Sequence, residues 1–243
     1  MRPVLLLTRP AEASERFASQ LPPDVLARVD LIISPLICIE PLVQSLDFGP
    51  ARGLLFTSAN AVRVVAGVTE DRLLPSFCVG EKTAATARDA GWNAHALGAT
   101  ADELVAALLR DRPEGPLLHL SGEHTRGDVA ARLCAAGLPT AETAVYAQPL
   151  QPLDDAAQRA LVGKMPVIVP LFSPRTARHF AEQATGPAAV HAIALSESVA
   201  EPLKPKGFSR VDVALRPDAG AMVEAIAACL AGITRVEGAR PPQ

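Results

Sequence analysis

Short apolar runs alternate with alanine-rich amphipathic stretches along most of this chain. Such an alternation is typical of parallel strands that are joined by helices, and it predicts the α/β class. The predicted strands are Val4–Thr8, Asp30–Ser34, Gly53–Thr57, Ser76–Val79, Asn93–Leu97, Pro116–Leu120, Pro166–Phe172, His191–Leu195 and Arg210–Leu215. The predicted helices are Ala11–Gln20, Ala59–Ala66, Lys82–Ala90, Ala101–Arg110, Arg126–Ala136, Asp154–Val162, Pro174–Gln183, Glu197–Lys204 and Ala219–Ala231.

A serine-led turn occurs twice, each time at the end of an apolar run and at the start of a helix. Ser58 and Ser173 lie 115 positions apart, and two later helices end at Gly91 and Gly207, which lie 116 positions apart. A repeat that keeps its register this well predicts two similar α/β domains. Open α/β sheets bind ligands at the carboxyl ends of their strands, and two such edges facing each other would form a cleft.

Two proline-flanked extended segments, residues 35–42 and 143–150, interrupt the alternation. Proline confines such segments to sheet edges and linkers. We therefore expect a discontinuous first domain, residues 1–34 plus 151–243, and a continuous second domain, residues 43–142. The two extended segments would then be antiparallel linker strands that act as a hinge.

The composition supports a folded core and limits the classes of ligand. Hydrophobic residues make up 49% of the 243 residues and aromatic residues only 4%, which disfavours nucleic-acid binding by base stacking. The net charge of −3 gives no global basic field, so an anionic ligand would need locally clustered arginines. No apolar run approaches about 18 residues, and the apolar start is too short for a signal peptide, so we expect a cytoplasmic protein that does not bind membranes.

The four cysteines are far apart and each has apolar neighbours, which predicts buried thiols in a reducing compartment rather than a metal site. They are Cys38, Cys78, Cys134 and Cys229.

No standard catalytic or nucleotide-binding motif is present, so the candidate chemistry lies in strand-end turns that carry Ser, Thr and Arg. Ser58 and Ser173 have two interpretations. Each is either a helix N-cap without a ligand or a hydroxyl that binds a carboxylate together with the free N–H groups of the helix. The arginines at or just after strand ends are either solvated or, as a set around one cleft, receptors for several carboxylates. They are Arg9, Arg63, Arg126, Arg175 and Arg178.

Tyr146, the only tyrosine, lies in the second predicted linker. It is either a packing residue of the hinge or a donor of a proton to a leaving hydroxyl. His124 lies in a polar strand-end loop and is either a loop residue, which we expect, or a catalytic histidine. The other histidines lie in or beside apolar runs and are expected to be structural; they are His95, His119, His179 and His191.

Taken in order, five segments resemble the uroporphyrinogen-III synthase family. They are residues 55–63 (LFTSANAVR), residues 79–84 (VGEKTA), Gly122-Glu123, Val145-Tyr146 and residues 172–174 (FSP). The resemblance implies two flavodoxin-like domains with a two-stranded linker. It also implies closure of the linear tetrapyrrole hydroxymethylbilane to uroporphyrinogen III, with inversion of the last ring and loss of water. An enzyme of this kind is a lyase that works by orienting a reactive substrate.

The resemblance gives residue roles as well. Tyr146 matches the tyrosine that is thought to assist loss of the hydroxyl, and eight substrate carboxylates would bind at strand-end turns. The expected substrate-binding residues are Arg9, Ser58, Arg63, Gly80, Lys82, Gly122, Arg126, Ser173, Arg175 and Ser198. We expect no cofactor, no metal and no nucleic-acid partner, and we expect a monomer.

One turn departs from the family pattern. Where the family often has Gly and two threonines, this chain has Ser196, Ser198 and Val199, with Glu197 between them. An acidic residue at this edge would disfavour an anionic substrate unless its side chain faces away. Two other hypotheses remain open. Because no catalytic motif is present, the chain could be a non-catalytic two-domain binding protein for an anionic small molecule. The altered turn is the best support for the second, a family member that has lost activity and acts as an interaction module.

Overall fold

The protein is described by a computed structural model that covers residues 2–125 and 127–238. It confirms the α/β class, with mostly parallel strands. The strands are β1 Val4–Leu7, β2 Asp30–Ile33, β3 Glu40–Pro41, β4 Gly53–Phe56, β5 Ser76–Cys78, β6 Ala94–Ala96, β7 Leu117–Gly122, β8 Thr140–Ala147, β9 Val167–Leu171, β10 Val190–Ala194 and β11 Arg210–Val213. The helices are α1 Ala11–Ala18, α2 Pro23–Leu26, α3 Ala59–Val68, α4 Glu81–Asp89, α5 Ala101–Asp111, α6 Val129–Ala135, α7 Asp155–Val162, α8 Pro174–Gln183, α9 Glu197–Ala200 and α10 Ala219–Gly238.

The chain divides into two compact units. The first unit combines Met1–Cys38 with Leu150–Gln243, and the second unit is Ile39–Pro149. The two predicted linker segments contribute β3 and the end of β8, where Glu40 and Pro41 pair antiparallel with Ala147 and Tyr146. That they act as a hinge stays a prediction.

The first unit contains a parallel sheet in the order β2-β1-β9-β10-β11, which is the flavodoxin order. The inner strands β1 and β9 are buried on both faces, and for that reason they are continuously apolar in the sequence. Leu5 and Ile193 face a core that includes Met222 of α10. Leu6 and Val169 face the opposite core, which α7, α8 and α9 cover.

The second unit contains a sheet in the order β3-β8-β7-β4-β5-β6, in which β3 alone is antiparallel. Here too the strand side chains alternate between two cores. Leu54 and Phe56 face a core that contains Trp92, whereas Leu55 and Leu117 face a core under α5 and α6.

The internal repeat has a structural counterpart in the order of the strands. Strands β4-β5-β6 of the second unit correspond to β9-β10-β11 of the first, and α3 and α8 begin and end 115 positions apart. The pair β7-β8 occupies the place that β1-β2 takes in the first sheet. Because β1 and β2 precede the repeat while β7 and β8 follow it, one sheet is a circular permutation of the other.

Several predicted elements differ from the structure in their bounds, and two of these differences have a physical reason. The predicted helix 197–204 is a short α9 followed by a 3-10 helix, Glu201–Lys206. Pro202 and Pro205 lack the backbone N–H that a continuous α-helix needs, which explains the change. Strand β7 extends to Gly122, beyond the predicted end at Leu120, because its ladder with β8 continues past a bulge.

Candidate functional site

Three adjacent parallel strands of the second unit, β7, β4 and β5, end in turns that carry predicted site residues. Gly122 is the last residue of β7, Ser58 follows β4, and Gly80 follows β5. The turns therefore lie along one edge of this sheet, where α/β proteins bind ligands. Gly80 has a φ of 75°, and its N–H donates to the carbonyl of Gly98 at 2.8 Å. The N–H groups of α4, rather than that of Gly80, remain for a ligand at this turn.

Ser58 is the N-cap of α3. Its Oγ accepts a hydrogen bond from the N–H of Asn60 at 3.1 Å, so Ser58 caps the helix, and its role in binding a carboxylate stays a prediction. The hydroxyl proton is not used in that bond and can still be donated to an anion. Arg63 is half-buried on the same helix, and its Nη1 donates to Oδ1 of Asn60 at 3.2 Å. Lys82 is exposed in the first turn of α4.

A contact that the sequence analysis did not anticipate lies beside Ser58. Oγ1 of Thr57 is 3.2 Å from Nε2 of His119, and Nδ1 of His119 is 3.2 Å from Oε1 of Glu142. The second contact is close but not aligned as a hydrogen bond. Burial lowers the pKa of His119, and Glu142 partly opposes this effect. In the sequence, the one feature that could have indicated this contact is a single histidine within an apolar run.

Tyr146 is buried, with 5% of its surface exposed, and it belongs to the core that contains Trp92. Its hydroxyl makes no side-chain hydrogen bond within the described part of the chain. The ring lies against Gly122, and the main-chain carbonyl of Tyr146 accepts a hydrogen bond from the N–H of Glu123. The packing role of this tyrosine is thus observed, and its role as a proton donor stays a prediction.

The approach of Tyr146 to β7 requires a glycine at position 122. A Cβ added there would lie 2.5 Å from Cζ and 2.8 Å from the hydroxyl oxygen of Tyr146. We expect Gly122→Ala to displace the ring and to lower the free energy of unfolding by about 1–3 kcal/mol. Gly67→Ala is the matched control, since nothing lies within 4 Å of that site in α3, and it should stabilise the protein by about 0.5–1 kcal/mol. Denaturant titration of both variants measures the difference, and equal midpoints would contradict the packing argument.

The first unit has a similar edge at the ends of β1, β9 and β10, which are neighbours in its sheet. Arg9 follows β1 and is half-buried, with its guanidinium 4.3 Å from the centre of the Phe172 ring. Burial lowers the pKa of Arg9, and the nearby positive charge of Arg16 adds to this effect. Among the described residues, no carboxylate forms an ion pair with Arg9. An incoming carboxylate would therefore offset the cost of burying this charge.

Ser173 is the N-cap of α8, as Ser58 is of α3. Its Oγ accepts from the N–H of Thr176 at 3.2 Å and lies 2.8 Å from the hydroxyl of the same residue. Pro174 is the first helical residue, as the sequence predicts. Arg175 is half-buried in the first turn, and Arg178 is exposed one turn later.

The turn that departs from the family pattern follows β10. The hydroxyls of Ser196 and Ser198 are 3.0 Å apart, and Ser198 is exposed. Glu197 forms an ion pair with Lys204 on the 3-10 helix, with 3.6 Å between Oε2 and Nζ. This neighbour reduces the negative charge that the turn presents to an anion.

Arg126 lies outside the described residues. Cys134 is exposed and Cys38 is half-buried, so the prediction that each cysteine is buried is wrong for these two. Within the described ranges, no cluster of three His, Cys, Asp or Glu side chains suits a metal ion. No helix in those ranges has the length and apolar character needed to cross a membrane.

Comparison with known proteins now adds an independent observation. A family model described as uroporphyrinogen-III synthase HemD matches residues 28–224. Among solved structures, uroporphyrinogen-III synthetase from Helicobacter pylori 26695 has a TM-score of 0.69 at 20% identity, over 94% of this chain and 100% of that chain. A mutant uroporphyrinogen III synthase from the extremely thermophilic bacterium Thermus thermophilus has a TM-score of 0.49 at 16% identity, over 94% and 99%. Only the first of these two likenesses bears on the fold. A comparison with curated proteins gives no match.

Proposed function

Because the chain belongs to the uroporphyrinogen-III synthase family, we propose that it cyclises hydroxymethylbilane to uroporphyrinogen III. The reaction inverts the last pyrrole ring and releases water. The family match over residues 28–224 is the observation that carries this proposal. The protein would then be a hydro-lyase of tetrapyrrole (heme) biosynthesis that needs no cofactor and acts as a monomer. The cytoplasm is the proposed compartment.

The substrate-binding role of the strand-end turns is supported by their chemistry in each unit. In the second unit, Ser58 presents a hydroxyl at the N-terminus of α3, where the helix dipole and unpaired N–H groups favour an anion. Gly122 ends β7 and Gly80 follows β5, the strands on either side of β4. We propose that these three turns bind substrate carboxylates mainly through N–H and hydroxyl groups.

In the first unit, Arg9 is the strongest candidate for a carboxylate receptor. Its guanidinium is stacked on Phe172, which limits its freedom before a ligand binds. Ser173, Arg175 and Ser198 follow the adjacent strands β9 and β10. A guanidinium that is already ordered loses less conformational entropy when it forms a bidentate pair with a carboxylate.

The proposed mechanism depends on orientation more than on acid–base catalysis. The hydroxymethyl carbon–oxygen bond breaks as the pyrrole nitrogen releases electron density, and the departing hydroxide takes up a proton to leave as water. We propose that Tyr146 donates that proton. Many weak contacts to carboxylates would hold the bilane in the one conformation that closes with its last ring inverted.

An isomer assay tests this function directly. The protein is incubated with hydroxymethylbilane, the products are oxidised, and the porphyrin isomers are separated. We expect the type III isomer from the wild-type chain and only the spontaneous type I isomer without it. Arg9→Ala should lower type III formation about 10-fold, because it removes a charge-assisted contact, whereas Arg159→Ala, an exposed change on α7, should not.

The same assay separates this proposal from its alternatives. A non-catalytic binding protein for an anionic small molecule would bind the bilane yet leave type I as the product. An inactive family member would do neither. If Arg9→Ala forms the type III isomer at the wild-type rate, Arg9 is not a substrate-binding residue.

A further inference from the structure

His119 is the only fully buried histidine in the described part of the chain, and it lies in the middle of β7. Its neighbours across the sheet are Leu55 of β4 and Glu142 of β8. An imidazole at such a position loses its hydration, which costs free energy unless its nitrogen atoms find partners. One nitrogen contacts the hydroxyl of Thr57 and the other faces a carboxylate of Glu142 that is 36% exposed.

The surroundings fix which nitrogen carries the proton. Glu142 attracts a proton on Nδ1, so Nε2 is left as the acceptor for the hydroxyl of Thr57. The depressed pKa of His119 agrees with a neutral ring at neutral pH. Glu142 is the only charged group that acts on this ring among the described residues. The result is an ordered series of hydroxyl, imidazole and carboxylate across three neighbouring strands.

Thr57 is the residue at which β4 leaves the sheet. The pairing of β4 with β7 ends at Phe56 and Leu120, and α3 begins two residues after Thr57. In the described part of the chain, the bond to His119 is the only side-chain hydrogen bond between the Thr57–Ser58 turn and another strand. This hydrogen bond therefore constrains the turn at a point where the backbone hydrogen bonds between β4 and β7 have ended.

We propose that His119 is a positioning residue: acting through Thr57, it holds Ser58 and the first turn of α3 in the orientation that binds a substrate carboxylate. The identity of that substrate rests on the proposed function, whereas the contacts of Thr57, His119 and Glu142 do not. Glu142 orients the imidazole, and neither residue needs to touch the substrate.

Matched variants separate positioning from packing. His119→Leu removes both nitrogen atoms at similar volume, and His119→Gln keeps an amide group that can meet Thr57. Thr57→Val removes only the hydroxyl, and Thr57→Ser keeps it. The single variants and the His119→Leu/Thr57→Val double variant are compared by kcat and KM for hydroxymethylbilane. Binding of uroporphyrin III, a porphyrin with the same carboxylates, is titrated by fluorescence, and thermal midpoints are recorded.

We expect His119→Leu and Thr57→Val each to raise KM and the uroporphyrin Kd about 10-fold, with kcat nearly unchanged. The Gln and Ser variants should restore most of the affinity. The double variant should be no worse than the worse single variant, because both changes remove the same link. Additive losses, or lower midpoints without any change in KM, would overturn the proposal.

Two further outcomes keep this test decisive. If His119→Leu does not fold, Thr57→Val alone decides, since it leaves the imidazole in place. If wild-type protein yields no type III isomer, the proposed function fails, and the uroporphyrin titration still tests the positioning role. An unchanged Kd in Thr57→Val would then reject it, and a 10-fold weaker Kd would support it.

Discussion

Replacing Tyr146 with phenylalanine is expected to slow formation of the type III isomer by roughly 10–100-fold without lowering the thermal midpoint. The hydroxyl makes no side-chain hydrogen bond in the described part of the chain, so its removal leaves no partner unsatisfied there. The ring still fills its place against Gly122 and the core around Trp92. A positioned proton donor typically contributes about 10²–10⁴-fold, and the pyrrole nitrogen already assists departure, which places the effect at or below the lower end.

Turnover, isomer ratio and thermal midpoint should be measured on the same preparations. Tyr146→Ala is the informative contrast. Loss of the whole ring should lower the free energy of unfolding by about 3–5 kcal/mol, and activity should fall with it. If Tyr146→Phe turns over at the wild-type rate, the phenol has no part in the chemistry and orientation alone remains. A lower midpoint with a proportionate loss of activity would show that the tyrosine acts through packing.

Replacing Arg72 with alanine is expected to cause the largest loss of stability of any surface change in the second unit, about 3 kcal/mol. The guanidinium donates to the carbonyls of Ala66, Thr69 and Ala90 at 3.2, 2.6 and 2.7 Å, which ties the C-terminal ends of α3 and α4 together. It also lies 4.0 Å from the centre of the Trp92 ring. Cations at helix C-termini and over indole rings are both stabilising.

The single tryptophan makes this prediction easy to measure. Trp92 is the only tryptophan of the chain and is buried in the second unit, so its fluorescence reports the unfolding of that unit. Guanidinium titration of Arg110→Ala provides the control, since Arg110 is exposed and pairs with its neighbour Asp111. We expect that control to change stability by less than about 0.5 kcal/mol. The stability of Arg72→Lys should lie between those of Arg72→Ala and Arg110→Ala, because a single ammonium cannot reach all the carbonyls.

Much of the fold follows from local features of the sequence. Each predicted strand has a counterpart in the structure, and the caps at Ser58 and Ser173 begin helices as expected. Periodicity and capping depend on residues that are close in the chain, so they can be read without knowledge of the tertiary structure. The short β3 was predicted only as part of an extended segment, because two residues carry no periodicity.

The candidate site was less accessible to sequence reasoning. The sequence placed Ser58, Gly80 and Gly122 at strand ends, and the sheet order makes their strands neighbours. Nothing local shows that Thr57 contacts His119, 62 positions away, because that contact depends on the register of β4 against β7. The apolar neighbours of His119 in the sequence therefore predict only a structural role for it.

By itself, then, the sequence determined the α/β class, the succession of strands and helices, the 115-residue repeat and the resemblance to uroporphyrinogen-III synthases. The tertiary structure alone decided that β7-β8 takes the place of β1-β2, that Tyr146 lies against Gly122, and that Thr57, His119 and Glu142 form one series. The physical reason is the distance along the chain over which each feature is determined. Hydrophobic period and caps are set within a few residues, whereas strand order and cross-strand contacts are set by how distant segments bury their apolar faces together.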